Sequence, residues 1–453
     1  MTVQEIYNIF LRHSVVTTDS RDCPEGSVFV ALKGATFNGN AFAVKALEQG
    51  CAYAVVDEDI TVGDARAGLS SRLIRVDDSL VTLQALAREH RRRLGTPVIG
   101  VTGTNGKTTT KELIAAVLGK KYNVLYTQGN LNNHIGVPKT LLRLTKEHDI
   151  AVVEMGANHP GEIRALVNIA EPDMGIITNV GRAHLEGFGS FEGVKRTKGE
   201  LYDYLAAHGD GGVVFINADD ADLKQMADER GLVRRVSYGT HRHPGMSVRG
   251  EAVCCNPFLN LRWEKTEGCP SQALSERPLL STHLIGSYNI YNMLAAAAIG
   301  DYLGVAEADI SDALAGYVPS NNRSQMTVTE SNRLIVDAYN ANPTSMNAAL
   351  VNFRDIEAGR KMVILGEMGE LGADTDDEHV KVMRFLREAA IPEIWLVGKA
   401  FRRAGDVVPV AGAVYFDSVE DVKKRIEADK PQQRTILIKG SNAMRLFQLP
   451  PLL

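Results

Sequence analysis

The sequence has few cysteines, no long apolar run and no excess of positive charge, and each lack excludes something. Five cysteines stand in 453 residues, Cys23, Cys51, Cys254, Cys255 and Cys269, an odd number with no C-x-x-C pair. That argues against a disulfide framework. The stretch from His241 to Cys269 holds two histidines and three cysteines, so zinc has to be weighed. Adjacent Cys254 and Cys255 cannot easily present two thiolates to one ion, and buried, inert thiols are the preferred reading. No apolar run approaches the length that spans a bilayer. The opening MTVQEIYNIFLRHSVV is an amphipathic helix pattern with charges inside it rather than a signal peptide, and a soluble, cytoplasmic protein is expected. A net charge of −5 argues against a nucleic-acid binder that lives on phosphate contacts. Internal repeats and low-complexity segments are absent as well.

What is present is an ordinary globular composition, 44% apolar and 23% charged, in a chain long enough for about three domains. The chain is organised around 98-VIGVTGTNGKTTTKELIAAVLG-119. A short apolar β run leads into the glycine turn Gly103-Thr104-Asn105-Gly106. Lys107, Thr108 and Thr109 follow, and then a helical pattern. Amide groups at a helix N-terminus and the partial positive charge there favour an anion. The glycines let the backbone approach it. Lys107 adds a charge for the β- and γ-phosphates, and the Thr108 hydroxyl can sit on Mg²⁺. The common G-x-x-x-x-G-K-[ST] spacing is not met, since two residues separate Gly103 from Gly106. A plain turn with a chance lysine is the bland alternative, and the strand before and helix after favour phosphate binding.

Residues 1–93 read as a first, smaller α/β domain. Its strand candidates are 27-SVFVAL-32, 52-AYAVVD-57 and 72-RLIRVD-77, with helical patterns such as 41-AFAVKALEQG-50 between them. Two polar stretches, 18-TDSR-21 and 33-KGATFNGN-40, are either loops or a small-molecule site. The basic end of the next helix, His90 to Arg93, reads as a solvated face that complements the helix dipole.

Residues 94–317 form a second domain around the phosphate cradle. The strand 149-DIAVVEMGAN-158 carries Glu154 at its C-terminal end, where a parallel sheet opens its ligand crevice and a carboxylate can hold Mg²⁺. His184 falls just past the strand 174-MGIITNV-180, and a structural or a site role is equally open. In 193-GVKRTKGELYDYL-205 the charges Lys195, Arg196 and Lys198 read as a helix face, since an ammonium cannot ligate a metal. The segment 283–304 reads as a buried helix. Asn289 and Asn292 share one face near its start, where they could meet a base or cap the chain.

Residues 318–453 alternate strands (333-RLIVDAY-339, 361-KMVILGE-367, 394-IWLVG-398, 434-RTILIKGS-441) with helical patterns, which means a parallel α/β sheet. Its strand ends carry Asp337, Asn340, Asn342, Glu367 and Lys439. The acidic run Asp374 to Glu378 reads as a solvated loop or a helix start.

With these motifs laid out, the whole chain resembles the Mur ligase family of peptidoglycan synthesis. The resemblance is carried by GTNGKTTT, VVEMGA, NVGRAHLEGFGS, KRTKGELY and GSYNIYNMLAAAA, and by GNLNNHIGVP, EMGANHPGEI, DAYNANPTSM and LGEMGELG. It implies a UDP-binding N-terminal domain, a central P-loop ATPase with a parallel sheet, and a Rossmann-like C-terminal domain that closes over the nucleotide. The implied activity is ATP-dependent ligation of D-alanyl-D-alanine to a UDP-N-acetylmuramoyl-tripeptide through an acyl phosphate, by a monomer. The resemblance further implies ATP contacts from residues 103–109, from Asn289 and Asn292, and from Arg323, Asp337 and Tyr339. It implies two Mg²⁺ ions on Thr108, Glu154, His184 and a carbamylated Lys198, which stands four residues before Tyr202 as the family motif does; Lys195 is the competing lysine. Ser20, Arg21, Asn38 and Asn40 fall on its uridine-site loops, and Asn132 and Asn133 on the substrate side. One departure is the stretch 320-SNNRSQM-326, where the family pattern has a glycine before the arginine.

Overall fold

The computed structural model describes residues 1–183, 185–208, 212–266, 273–320 and 323–453. The chain forms a mixed α/β structure in two compact units. The first comprises Met1–Val101, Tyr122–Ala157 and Glu162–Gly175; the second comprises Thr102–Lys121, Asn158–Gly161 and Ile176–Leu453.

In the first unit four short strands, Val16–Thr17, Val28–Val30, Tyr53–Val56 and Leu73–Arg75, pair in parallel in that order. Phe29, Ala31, Leu47, Ala54 and Val56 pack as their core. Strand Val16–Thr17 has only two residues, too few to show a period in sequence. The helix Ser79–Leu94 starts on an Asp78 cap and ends on Gly95 in the left-handed region at φ +68°. Strands Val98–Thr102 and Val124–Tyr126 flank Ile150–Glu154 in parallel, with Val101 opposite Glu154. That middle strand is buried along its length, as an all-apolar run in a parallel sheet should be.

The basic helix end differs in part from the sequence expectation. His90 is buried: its Nδ1 meets the Tyr7 hydroxyl at 3.2 Å and its Nε2 meets the Leu144 carbonyl at 2.9 Å. Arg91 donates to the carbonyl of Glu171 and the carboxylate of Asp173, and Arg92 pairs with Glu171. His90 and Arg91 are therefore turned inward, while Arg92 and Arg93 remain exposed as the solvated face expected. The inward pair meets partners that a helical wheel cannot show.

In the second unit Val213–Asn217, Arg235–Gly239 and Val248–Cys255 run parallel, followed by Phe258–Lys265 and Leu280–Ile285 in antiparallel order. The sequence expectation of one helix over 283–304 fails at its start. Residues to Ile285 are strand, Gly286 turns the chain at φ +99°, and the helix is Asn289–Tyr302. An apolar triplet cannot reveal its period, so strand and helix look alike there. Cys254 is exposed, against the expectation of buried thiols, in an exposed stretch where the strand pairing shifts register; Cys51 is buried, and Cys269 lies outside the described residues.

The C-terminal sheet runs Gln325–Val328, Arg333–Asp337, Thr435–Lys439, Lys361–Gly366, Glu393–Val397, Ala413–Phe416. Only the first pair is antiparallel. Separate apolar clusters cover its two faces, one around Leu350, Phe353, Met383 and Phe401, the other around Leu334, Val397, Val422 and Leu446. This is the doubly covered parallel sheet expected from the alternation. The acidic run opens the helix Thr375–Ala389. Among the described residues no helix is long and apolar enough to cross a membrane.

Candidate functional site

The phosphate-type loop is built in the second unit. Strand Val98–Thr102 delivers the chain to Gly103 at φ +142°, where a Cβ would stand 2.0 Å from Thr178 Oγ1. Gly106, at φ +77°, caps the helix Lys107–Leu118 without a side chain, and a Cβ there would stand 2.6 Å from Asn292 Oδ1. Both glycines are thus required by conformation and by space. Between them Asn105 is pinned through its backbone. Its N–H donates to Asn179 Oδ1 at 3.0 Å, and its carbonyl accepts from Thr178 Oγ1 at 2.6 Å and Asn179 Nδ2 at 2.9 Å. Thr104 N–H donates to the Asn179 carbonyl at 3.0 Å. Lys107 Nζ donates to the carbonyls of Gly103 and Thr104 at 2.8 and 2.9 Å, which holds the ammonium on the loop. Thr108 is buried on the first turn and Thr109 half-buried. Sequence reasoning missed Thr178 and Asn179; the signal was the polar pair closing the strand run 174-MGIITNV-180.

Asn289 and Asn292 are both buried on one helical turn, and the structure gives their amides bracing contacts. Asn292 Nδ2 donates to Asn289 Oδ1 at 2.7 Å, Asn289 Nδ2 donates to the Ile285 carbonyl at 2.8 Å, and Thr110 Oγ1 donates to Asn292 Oδ1 at 3.0 Å. Asn292 thus backs the loop from beneath.

The helix Phe191–Ala207 places the two lysines in different surroundings. Lys195 pairs with Asp222 at 2.6 Å. Lys198 is 2% exposed, with its ammonium 5.4 Å from the centre of the Phe188 ring. The expected solvated face is therefore wrong for Lys198, which shares the buried stripe of Val194, Leu201 and Tyr202. The Tyr202 hydroxyl has no hydrogen-bond partner among the described residues, and burial raises its pKa. His184 lies outside the described residues.

In the C-terminal sheet Asp337 and Lys439 are register partners on adjacent strands. Lys439 is 1% exposed and donates to Asp337 Oδ2 at 2.5 Å; Ser324 N–H donates to the other oxygen at 3.4 Å. The Arg323 guanidinium stacks 3.9 Å over the Tyr339 ring, so Arg323, Asp337 and Tyr339 are brought together. Lys439, read from the sequence only as a polar residue at a strand end, is the partner of Asp337. A cleft of about 740 Å³ in this unit is lined by Tyr288, Tyr291, Asn347 and Asn352 with the acids Glu251, Asp355 and Glu357, and by no cationic side chain. It suits a phosphate poorly.

In the first unit Glu154 is fully buried at its strand end and accepts from Asn132 Nδ2 at 2.8 Å. Asn133 Oδ1 accepts from the amides of Ile135 and Gly136, opening the next helix. The polar loop 33–40 is knitted by acids that the sequence reading did not single out. Asn40 Nδ2 donates to Asp57 at 2.7 Å, Asn38 Nδ2 spans both oxygens of Glu58 at 3.0 Å, and Lys33 bridges the two acids. Asp57 is held below its ordinary pKa although burial opposes this, because Asn40, Lys33 and the Ser79 amide all stabilise the anion. Arg21 is exposed and forks onto Asp19 at 2.7 and 2.9 Å, beside half-buried Ser20.

A strand, a glycine turn, Lys-Thr and a helix, set among parallel strands, define a phosphate-loop α/β protein. The family descriptions "Mur ligase family, catalytic domain", "Mur ligase middle domain" and "Mur ligase, glutamate ligase domain" match residues 12–94, 101–300 and 322–442. The UDP-N-acetylmuramoyl-tripeptide–D-alanyl-D-alanine ligases of Bacillus subtilis and Escherichia coli are each 34% identical to the chain, over 96% of it and 92% of their own length. The solved MurF structure from Acinetobacter baumannii is similar at a TM-score of 0.83 and 30% identity, covering 96% of this chain and 92% of that one. MurF from Thermotoga maritima in complex with ADP is similar at 0.80 and 25%, covering 97% and 96%. The chain belongs to the Mur ligase family.

Proposed function

We propose that the chain is an ATP-dependent ligase that joins D-alanyl-D-alanine to the peptide of UDP-N-acetylmuramoyl-tripeptide. The observation that carries this is 34% identity to ligases of that name over 96% of the chain. Fold likeness alone would be silent on substrate: a folylpolyglutamate synthase of Mycobacterium tuberculosis shares the fold at 14% identity and a TM-score of 0.61. ATP use draws support from the relative solved with ADP. We retain the division into 1–93, 94–317 and 318–453 as the three functional domains, supported by the three family segments.

In the first step a carboxylate oxygen of the acceptor peptide attacks the γ-phosphorus of ATP, the bond to the β-γ bridging oxygen breaks, and ADP leaves. The amine of the dipeptide then attacks the acyl carbon, forms the amide, expels phosphate and gives up a proton. Phosphoryl transfer needs positioning and charge neutralisation more than covalent help. The amides of the Gly106–Thr109 turn and the Lys107 ammonium supply them, and Arg323, Asp337 and Tyr339 form the C-terminal side of the ATP site. Magnesium, when bound, adds charge neutralisation on the transferring group. The donor chemistry fits it, since Glu154 and Thr108 are buried hard-oxygen donors, and with His184 they are its proposed contacts. Carbamylation of Lys198 draws no support from the relatives. As an ammonium Lys198 cannot ligate a metal, and no step depends on it. Ser20, Arg21, Asn38 and Asn40 are proposed for the uridine end of the acceptor, and Asn132 and Asn133 for its peptide side. A monomeric, cytoplasmic enzyme is part of the same reading.

The test is ADP release with each substrate omitted in turn. Release that requires both the UDP-muramoyl-tripeptide and D-alanyl-D-alanine supports the assignment. Release with a single amino acid in place of the dipeptide contradicts it.

A further inference from the structure

Asn342 stands at the start of the helix Pro343–Asp355 in the C-terminal part of the second unit, far along the chain from the phosphate loop. It is 7% exposed, and its side-chain amide serves both its own helix and the phosphate loop. Oδ1 caps the helix, accepting from Ser345 N–H at 2.9 Å, while Ser345 Oγ accepts in return from the Asn342 N–H at 3.1 Å. Nδ2 leaves the helix and donates to Asn105 Oδ1 at 2.7 Å, and Oδ1 also accepts from Asn105 Nδ2 at 3.4 Å. The Asn105 backbone is already fixed on both sides by Thr178 and Asn179. The side chain of Asn105 is therefore the one part of that residue whose place these contacts leave open, and Asn342 settles it. Thr344, two residues further on, also lies close by: a Cβ on Gly181 would stand 3.2 Å from Thr344 Oγ1 and 3.4 Å from Thr104 Cγ2.

We propose that Asn342 is a positioning residue for the phosphate loop: through Asn105 it ties the seating of the C-terminal sheet to the shape of the nucleotide cradle. The tie rests on the reading of this loop as the ATP site. A buried helix cap alone would need only Oδ1. The second contact is what a purely structural asparagine would not require, and it separates the two roles experimentally. Serine at this position keeps a cap, since its hydroxyl can accept from the same amide. It is too short to reach Asn105.

The experiment is a double-mutant cycle read by calorimetric titration with ADP, on the native chain, Asn342→Ser, Asn105→Ala and the pair. Asn342→Ser is expected to weaken ADP binding about fivefold, the worth of one hydrogen bond, with an unchanged melting temperature. In the Asn105→Ala background the same substitution should have no effect. Native ADP affinity in Asn342→Ser, or an equal loss in both backgrounds, overturns the proposal. The titration reads the nucleotide alone, so it stands apart from the choice of peptide substrates. A native chain that binds ADP without the ligase activity would overturn the functional reading and leave this cycle interpretable.

Discussion

Lys107 donates to two carbonyls of its own loop, which holds its ammonium against the glycine turn, and under the proposed function that charge meets the transferring phosphate. Removing it leaves the amide cradle without its charge, so Lys107→Ala should cost about 10²–10³-fold in acceptor-dependent ADP release, with the melting temperature little changed. Near-native release would refute its role. Another residue carries a pH effect. Burial among Tyr7, Phe10 and the Leu144 carbonyl lowers the pKa of His90, the carbonyl contact opposing this in part. Its neutral form is the one the fold holds. The stability it contributes is present above its unfolded pKa of about 6.5 and is lost as pH falls through the lower folded value. The denaturant midpoint should therefore fall between pH 7 and 5, and less steeply in His90→Gln; equal slopes would contradict this. His379 is lowered by burial in the same way and keeps part of the slope in that variant. The inward partners were not legible in the run His90 to Arg93, because they come from residues 54 to 83 positions away.

Elements of strong period are where the sequence speaks plainly. The apolar runs 98–101, 150–153, 334–336 and 435–438 are strands, and Gly95 and Gly106 stand where the helix rules put them. Glycine spacing in the loop was legible because φ at Gly103 and Gly106 admits nothing else. What lay beyond reading was which polar side chains brace that loop. Thr178, Asn179 and Asn342 reach it from three different stretches. Short elements such as Val16–Thr17 and Gln325–Val328 were also hidden, since their places are set by pairing rather than by pattern. The loop as an element yields its own prediction. Gly103→Ala puts a Cβ 2.0 Å from Thr178 Oγ1 in a conformation that alanine avoids. A strain of about 1–3 kcal/mol is expected, and ADP affinity should drop at least about tenfold, the factor that 1.4 kcal/mol of binding energy represents. Unchanged affinity would show that the turn relaxes freely.

Over the whole molecule, three family segments fall in chain order with few residues outside them, and the relatives match across more than nine-tenths of both chains. Fold class and family were legible from motifs at that scale, since each motif marks a strand end or loop that the architecture needs. Substrate identity was legible only through resemblance: the residues of loops 18–21 and 33–40 are engaged with neighbouring acids, and nothing in their spacing names a uridine. The product formed is therefore the deciding observable. Incubation with ATP, magnesium, UDP-N-acetylmuramoyl-tripeptide and D-alanyl-D-alanine, followed by mass spectrometry, should give the UDP-muramoyl-pentapeptide in equal amount to ADP. It should give no ligation product when a single amino acid replaces the dipeptide. Ligation of a single amino acid, or bound nucleotide without any pentapeptide, would contradict it.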